Sequence, residues 1–121
     1  HFGHLAGDAA LQSVAHTIRS VARSCVALAA RYGGEEFALM ASRTSLAQAT
    51  ALGEAVCAQV QQLRIPAAPP SSHAWLSVSI GVARWHDDGG DTLEQALARA
   101  DAALYRAKEG GRNRVEVAPD Q

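Results

Sequence analysis

The chain has 121 residues, of which 48% are apolar, and carries 11 Lys plus Arg against 12 Asp plus Glu. This length fits a single domain, residues 1–121, and the apolar content is too high for a disordered chain. The balanced charge argues against a nucleic-acid-binding protein, which usually shows a basic excess. It leaves room for a small phosphorylated ligand, because a few well-placed cations are enough to bind one.

The two cysteines, Cys25 and Cys57, have neither a CxxC partner nor a histidine at metal-ligand spacing. We interpret both as buried thiols of a reduced compartment. No apolar run approaches the ~20 residues that span a membrane, and no signal peptide is visible. We expect a cytoplasmic domain, although the full-length protein could be membrane-anchored. Because the chain starts without a first strand, we also expect a missing upstream segment.

The first half of the chain predicts a helix followed by a hairpin. Apolar residues at helical spacing predict a helix over about residues 8–23, with Asp8 as its N-cap or first-turn acid. Residues 26–32 and 35–40 are typical of strands. The pair Gly33-Gly34 between them favours a β-hairpin, since glycine tolerates the positive φ of tight turns.

The second half predicts two helices and two strands. An apolar stripe indicates a helix over about residues 46–64, which Ser45 could cap. Alternating apolar and small residues indicate a strand over 76–82, with one buried face and one small-residue face. The sequence Thr92-Leu93-Glu94-Gln95 is typical of a capping box and begins a third helix, which Gly110-Gly111 ends.

A short last strand over residues 114–118 completes the predicted order α-β-β-α-β-α-β. We see neither an internal repeat nor a linker between domains. A mixed order with a central hairpin predicts an α+β sheet with helices on its faces.

The most unusual stretch is Arg31-Tyr32-Gly33-Gly34-Glu35-Glu36-Phe37, which places two acids beside two glycines at the predicted hairpin tip. Glycines let phosphates approach the backbone. A carboxylate there can hold Mg²⁺, which usually needs one or two carboxylates plus substrate phosphates. From residue types and spacing alone, a solvated turn with incidental acids explains the stretch equally well.

This stretch resembles the signature of GGDEF domains, the catalytic domains of diguanylate cyclases, in the variant with Glu at the third position. Further segments resemble the family's other motifs, in the right order and over nearly the whole chain. They are Gly3-His4 with Gly7-Asp8, the strand Ser77–Val82, and Ala100–Lys108 followed by Gly111-Arg112-Asn113.

The resemblance implies a ferredoxin-like fold similar to the palm of nucleotidyl cyclases and polymerases, a mixed sheet flanked by helices, here without its first strand. It implies that the 3′-hydroxyl of one GTP attacks the α-phosphate of another, yielding cyclic di-GMP and pyrophosphate. Each monomer holds one GTP, so catalysis needs a homodimer, and it needs Mg²⁺ or Mn²⁺. An upstream sensor or receiver domain is expected in the full-length protein.

The resemblance also assigns site residues. Glu35 is similar to the metal-binding carboxylate and base for the 3′-hydroxyl, and Glu36 to the signature position near the nucleotide. Asp8 would accept from the guanine edge, and Leu11 would line the base pocket. The residues expected at the phosphates are Arg31, Gly33, Gly34, Lys108 and Arg112.

Simpler roles stay open for several of these residues. Asp8 could only cap the first helix. Lys108 and Arg112 could only favour the end of the third helix, where the dipole stabilises cations. For Asp101 and Tyr105, which are typical of the family, we favour structural roles.

The chain departs from the family pattern in two places. The family's second metal carboxylate and its guanine-reading Asn precede the position of His1, so we predict weak or absent turnover for these 121 residues alone. Many members carry an RxxD product-inhibition motif, but the stretch Arg23-Ser24-Cys25-Val26-Ala27-Leu28 lacks the Asp. We therefore predict no conventional inhibition site, although product could bind in the active-site cleft. The alternatives are a regulatory module that binds GTP or cyclic di-GMP without catalysis, and a dimerisation scaffold.

Overall fold

A computed structural model describes residues 12, 16, 26–31, 36–62, 64–66, 75–86 and 88–119. The predicted first helix lies outside these residues, apart from Gln12 and His16. The elements in chain order are β1 (Val26–Arg31), β2 (Glu36–Ala41), α1 (Leu46–Gln62), β3 (Ser79–Arg84), α2 (Leu93–Glu109) and β4 (Val115–Val117).

The four described strands form one mixed sheet in the order β1-β2-β3-β4. Strands β1 and β2 are antiparallel, as the hairpin prediction requires, with Arg31 opposite Glu36 at the turn end. Strands β2, β3 and β4 are parallel neighbours, joined through α1 and α2. The α+β prediction with a mixed sheet flanked by helices is confirmed.

The two helices cover opposite faces of the sheet, because successive strand residues point to opposite sides. Helix α1 packs on the face that carries the larger side chains, among them Phe37, Leu39, Ile80 and Val82. Helix α2 packs on the other face, where its own Ala96, Ala100 and Ala103 lie in one cluster with Ala38, Met40 and Ala83 of the sheet.

The third strand corrects one prediction. It was expected over residues 76–82 but runs from Ser79 to Arg84, because its partner β2 begins at Glu36, directly opposite Ser79. Leu76 and Val78 are buried just before the strand begins. Apolar alternation therefore indicated burial correctly but did not locate the start of strand pairing.

The small-residue face of β3 is a packing surface for α2. A Cβ atom on Gly81 would lie 2.1 Å from the carbonyl oxygen of Ala100 and 2.4 Å from the backbone nitrogen of Leu104. The helix therefore contacts the strand backbone to backbone at this glycine, and this close contact fixes the position of α2 on the sheet.

The predicted helix caps are present. Ser45 Oγ accepts a hydrogen bond from the Gln48 amide at 3.0 Å. Thr92 and Gln95 form the reciprocal capping box, and Gly110 is the C-cap of α2. Among the helices that the structure describes, none is long and apolar enough to cross a membrane.

Candidate functional site

Three charged side chains meet at the end of the sheet where the signature stretch lies. Glu36 is the first residue of β2, Lys108 lies in the last turn of α2, and Arg112 follows that helix. Nζ of Lys108 lies 3.3 Å from Oε1 of Glu36, and Nη1 of Arg112 donates to Oε2 at 3.1 Å. We call these three residues the Glu36 cluster.

The chain reverses sharply after α2 to bring Arg112 to this position. Gly110 and Gly111 end the helix, and Gly111 has a φ of +117°, which favours glycine. Arg112 itself has a positive φ of 65°, an uncommon conformation for a residue with a side chain. Its amide bonds to the Ala107 carbonyl at 2.9 Å, so the turn holds the strained residue in place.

A second contact fixes this turn to the sheet. The amide of Asn113 donates to Oγ of Ser79 at 3.2 Å. Ser79 lies opposite Glu36 in the register of β2 and β3. The turn that carries Arg112 is thereby anchored beside the carboxylate with which Arg112 pairs.

Among the described residues, the Glu36 cluster brings two cations to one carboxylate. Only 9% of the Glu36 side chain is exposed, while Lys108 and Arg112 expose 26% and 53%. A buried carboxylate beneath two more exposed cations holds their heads at the surface, where they can meet an anion. Guanidinium and ammonium groups are the side chains that bind phosphates most strongly.

The simpler role for the two cations, stabilising a helix C-terminus, accounts for part of this arrangement. Lys108 lies in the last turn of α2, where the dipole favours a positive charge. The dipole does not explain why Arg112 pairs with a carboxylate 76 positions away in the chain. The structure therefore contains a long-range ion pair that stabilisation of the helix C-terminus does not require.

Arg31, whose predicted role at the phosphates stays a prediction, forms an ion pair with α2. Its Nη2 donates to Oδ2 of Asp101 at 3.0 Å, and each side chain is 32% exposed. Sequence reasoning gave Asp101 a structural role but did not identify this partner. A signal was available, since Asp101 precedes Lys108 by two helical turns of about 3.6 residues and so lies on the same face of α2.

Five of the predicted site residues lie outside the described part of the chain, and their roles stay predictions. They are Asp8, Leu11, Gly33, Gly34 and Glu35. Within the described residues, no group of three or more His, Cys, Asp or Glu side chains could hold a metal ion. Glu36 already faces two cations, and the metal-binding role of Glu35 stays a prediction.

The predicted buried thiol is present at Cys57, while Cys25 lies outside the described residues. Cys57 donates to the Val78 carbonyl at 3.6 Å. Burial, with a smaller contribution from the Glu54 charge, raises the pKa of its thiol to about 11. The protonated form dominates at neutral pH, and the thiolate that reacts as a nucleophile is scarce.

Comparisons with known proteins identify the family of the chain. The family model "Diguanylate cyclase, GGDEF domain" matches residues 1–114. The chain is 42% identical to Diguanylate cyclase DgcM of Escherichia coli (strain K12), over 97% of the chain and 27% of that protein. It is 40% identical to Diguanylate cyclase VdcA of Vibrio cholerae, over 95% of the chain and 33% of that protein.

A third relative carries a different name. The Response regulator PleD of Caulobacter vibrioides is 38% identical over 94% of the chain and 25% of its own length. The chain thus spans about a quarter to a third of the curated relatives it matches. No solved structure matches it.

Proposed function

Because the chain belongs to the GGDEF domain family, we propose that it condenses two molecules of GTP into cyclic di-GMP, with release of two molecules of pyrophosphate, one for each phosphodiester bond formed. The single observation that carries this proposal is the Glu36 cluster. It joins the signature stretch to two cations from the far end of the chain, as binding of one triphosphate by both regions requires.

Lys108 and Arg112 would bind the terminal phosphates of GTP. These phosphates leave as pyrophosphate and gain negative charge as the bond to the α-phosphate breaks. Cations fixed in advance stabilise that charge without reorganising during the reaction. Glu36 would keep the two cations in position between turnovers, acting near the nucleotide without contacting the reacting atoms.

Glu35 would hold the divalent ion. Its carboxylate supplies the oxygen ligand that Mg²⁺ or Mn²⁺ prefers, and the substrate phosphates supply others. A bound ion would neutralise phosphate charge and favour the attacking hydroxyl. Glu35 directly precedes Glu36 in the sequence, and this position in the signature supports the proposed role.

The remaining parts of the proposal concern the base, the second subunit and regulation. Asp8 and Leu11 would bind guanine, the first by accepting its N–H donors and the second by apolar contact. The reaction would need a homodimer, since each domain supplies one GTP. The name of the relative PleD, a response regulator, supports a receiver domain as one form of upstream control.

Incubation with GTP and Mg²⁺, with detection of cyclic di-GMP and pyrophosphate, tests the proposal. We expect both products from the protein that contains this chain, and none after chelation of the metal. Absence of product, with GTP still raising the melting temperature, would replace the cyclase by the regulatory module, since a ligand that binds only the folded state stabilises it. Absence of any shift with GTP or cyclic di-GMP would favour a scaffold.

A further inference from the structure

Helix α2 holds both strands of the β1–β2 hairpin at their turn ends. Strand β1 ends at Arg31, which pairs with Asp101 at 3.0 Å. Strand β2 begins at Glu36, which pairs with Lys108 at 3.3 Å. Arg31 and Glu36 are opposite each other in the hairpin register. Arg31 and Glu36 flank residues 32–35 of the signature stretch, and each forms an ion pair with α2.

The two residues of α2 that form these ion pairs lie on the same face of the helix. Asp101 and Lys108 are two turns apart, at about 3.6 residues and 5.4 Å per turn, so they lie on one face about 10 Å apart. Helix α2 is itself fixed on the sheet by its backbone contact with Gly81. Through the two ion pairs, the helix therefore fixes the positions of Arg31 at the end of β1 and Glu36 at the start of β2.

We propose that Asp101 is a positioning residue for the reaction. It acts by holding Arg31, and with it the end of β1 that leads into the signature stretch. This inference rests on the proposed function, because the signature stretch contains Glu35, the expected metal-binding residue. The pair spans 70 positions of the chain, and both partners are partly exposed. Exposed ion pairs stabilise a fold only slightly, so its main effect would be on geometry.

The chain offers a matched control in the loop before α2. Arg99 pairs with Asp91 through both carboxylate oxygens, and Asp91 also accepts the amide of His86 at 3.0 Å. This second pair is more buried than the first, with the Asp91 side chain only 12% exposed. It closes the loop before α2 at Asp91, ten residues before Asp101, while Arg99 itself lies two residues before Asp101.

The experiment compares Asp101→Asn with Asp91→Asn in the protein that contains this chain. We expect Asp101→Asn to lower kcat about tenfold, with KM for GTP changed less than about threefold, because small misplacement of a catalytic group costs rate more than binding. Asp91→Asn should lower the melting temperature more than Asp101→Asn does, yet retain kcat. Equal kcat values for the two variants, or losses that follow melting temperature, would overturn the inference.

A double variant tests whether Asp101 acts through Arg31 or affects the reaction independently of it. If Asp101 acts by holding Arg31, then Asp101→Asn should cause no further loss in an Arg31→Gln background. Additive losses would show two independent roles and contradict the proposal.

Hydrogen exchange supplies a measurement that does not depend on turnover. The backbone amides near Arg31 and Glu36 should exchange about tenfold faster in Asp101→Asn and at the wild-type rate in Asp91→Asn, because exchange reports local opening. Unchanged exchange would overturn the inference. If the wild-type protein makes no cyclic di-GMP, the proposed function fails, while the exchange data still decide whether Asp101 holds the hairpin.

Discussion

Helix α2 takes part in two charged clusters, and the two clusters differ in their numbers of cations and carboxylates. Near its start, Arg99 and Asp91 form a one-to-one pair between neighbouring parts of the chain, completed by backbone bonds from His86 and to Arg84. Near its end, Lys108 and Arg112 share the single carboxylate of Glu36, far away in sequence. Among the described residues, the first cluster joins one cation to one carboxylate, and the second joins two cations to one carboxylate.

This difference separates a structural ion pair from a candidate binding site. In the Arg99–Asp91 pair, both carboxylate oxygens accept hydrogen bonds from Arg99, so the charges are satisfied within the fold. In the Glu36 cluster, Oε1 of Glu36 is buried and has no hydrogen bond among the described residues, although Lys108 lies within ion-pair distance. Two cationic side chains beside one carboxylate are groups that can bind an anionic ligand.

Both clusters depend on the seating of α2 at Gly81, so Gly81→Ala should disrupt both at once. The added methyl group would meet backbone atoms of Ala100 and Leu104, at 2.1 and 2.4 Å, which a change of side-chain rotamer cannot relieve. We expect a loss of about 3 kcal/mol in the free energy of unfolding, at the upper end for overpacking. Urea denaturation measures it.

Gly53→Ala is the control for that variant. Gly53 lies inside α1, and its new methyl group would meet only side chains, the nearest being Val115 at 3.2 Å. Alanine also improves helix propensity by about 1 kcal/mol, which offsets the contact. We expect a change within about 1 kcal/mol. Similar losses in both variants would show that Gly81 has no special role in seating α2.

The second prediction tests the unbalanced cluster alone. Lys108→Met keeps the aliphatic stem but removes the charge that would bind phosphate. A hydrogen bond to a charged group contributes about 1.5–3 kcal/mol. We expect kcat/KM for GTP to fall about 10- to 100-fold, measured by pyrophosphate release at concentrations below KM.

Arg106→Met is the matched control for the second prediction. Arg106 is a cation in the same last turn of α2, but it donates to the Val117 carbonyl at 3.0 Å rather than to Glu36. We expect its kcat/KM to stay within about twofold of wild type. An equal loss in both variants would mean that general positive charge, and not the Glu36 cluster, governs activity.

Local sequence signals predicted most of the described elements, because their causes are local. The capping box at Thr92 and the glycines after α2 depend on neighbouring residues and could be read directly. The start of β3 was misplaced because strand limits depend on the partner strand, here Glu36 opposite Ser79. Hydrogen bonding between strands that are distant in the chain cannot be recognised from the sequence of either strand alone.

The same reasoning separates the site residues that could be predicted from those that could not. The link between the signature stretch and Lys108 or Arg112 came from family resemblance, since no local pattern joins residues 76 positions apart. The partner of Arg31 was missed for this reason. Only the helical spacing of Asp101 and Lys108 indicated that both would face the hairpin.

The smallest expected effect is the change in melting temperature, at different pH values, when the Arg99–Asp91 ion pair is removed. The hydrogen bonds from Arg99 lower the pKa of Asp91 below its ordinary value of 3.8, and the His86 amide adds to this. A lowered pKa in the folded state stabilises the fold above the unfolded-state value, and this stabilisation is lost as pH falls through the folded-state value. We expect Asp91→Asn to melt below wild type at pH 7, by less than Gly81→Ala does. That difference should shrink as the pH falls below about 4, and thermal melts across this range measure it. A difference that stays constant into acid would show that the Asp91 carboxylate stabilises the loop by its shape and not by its charge.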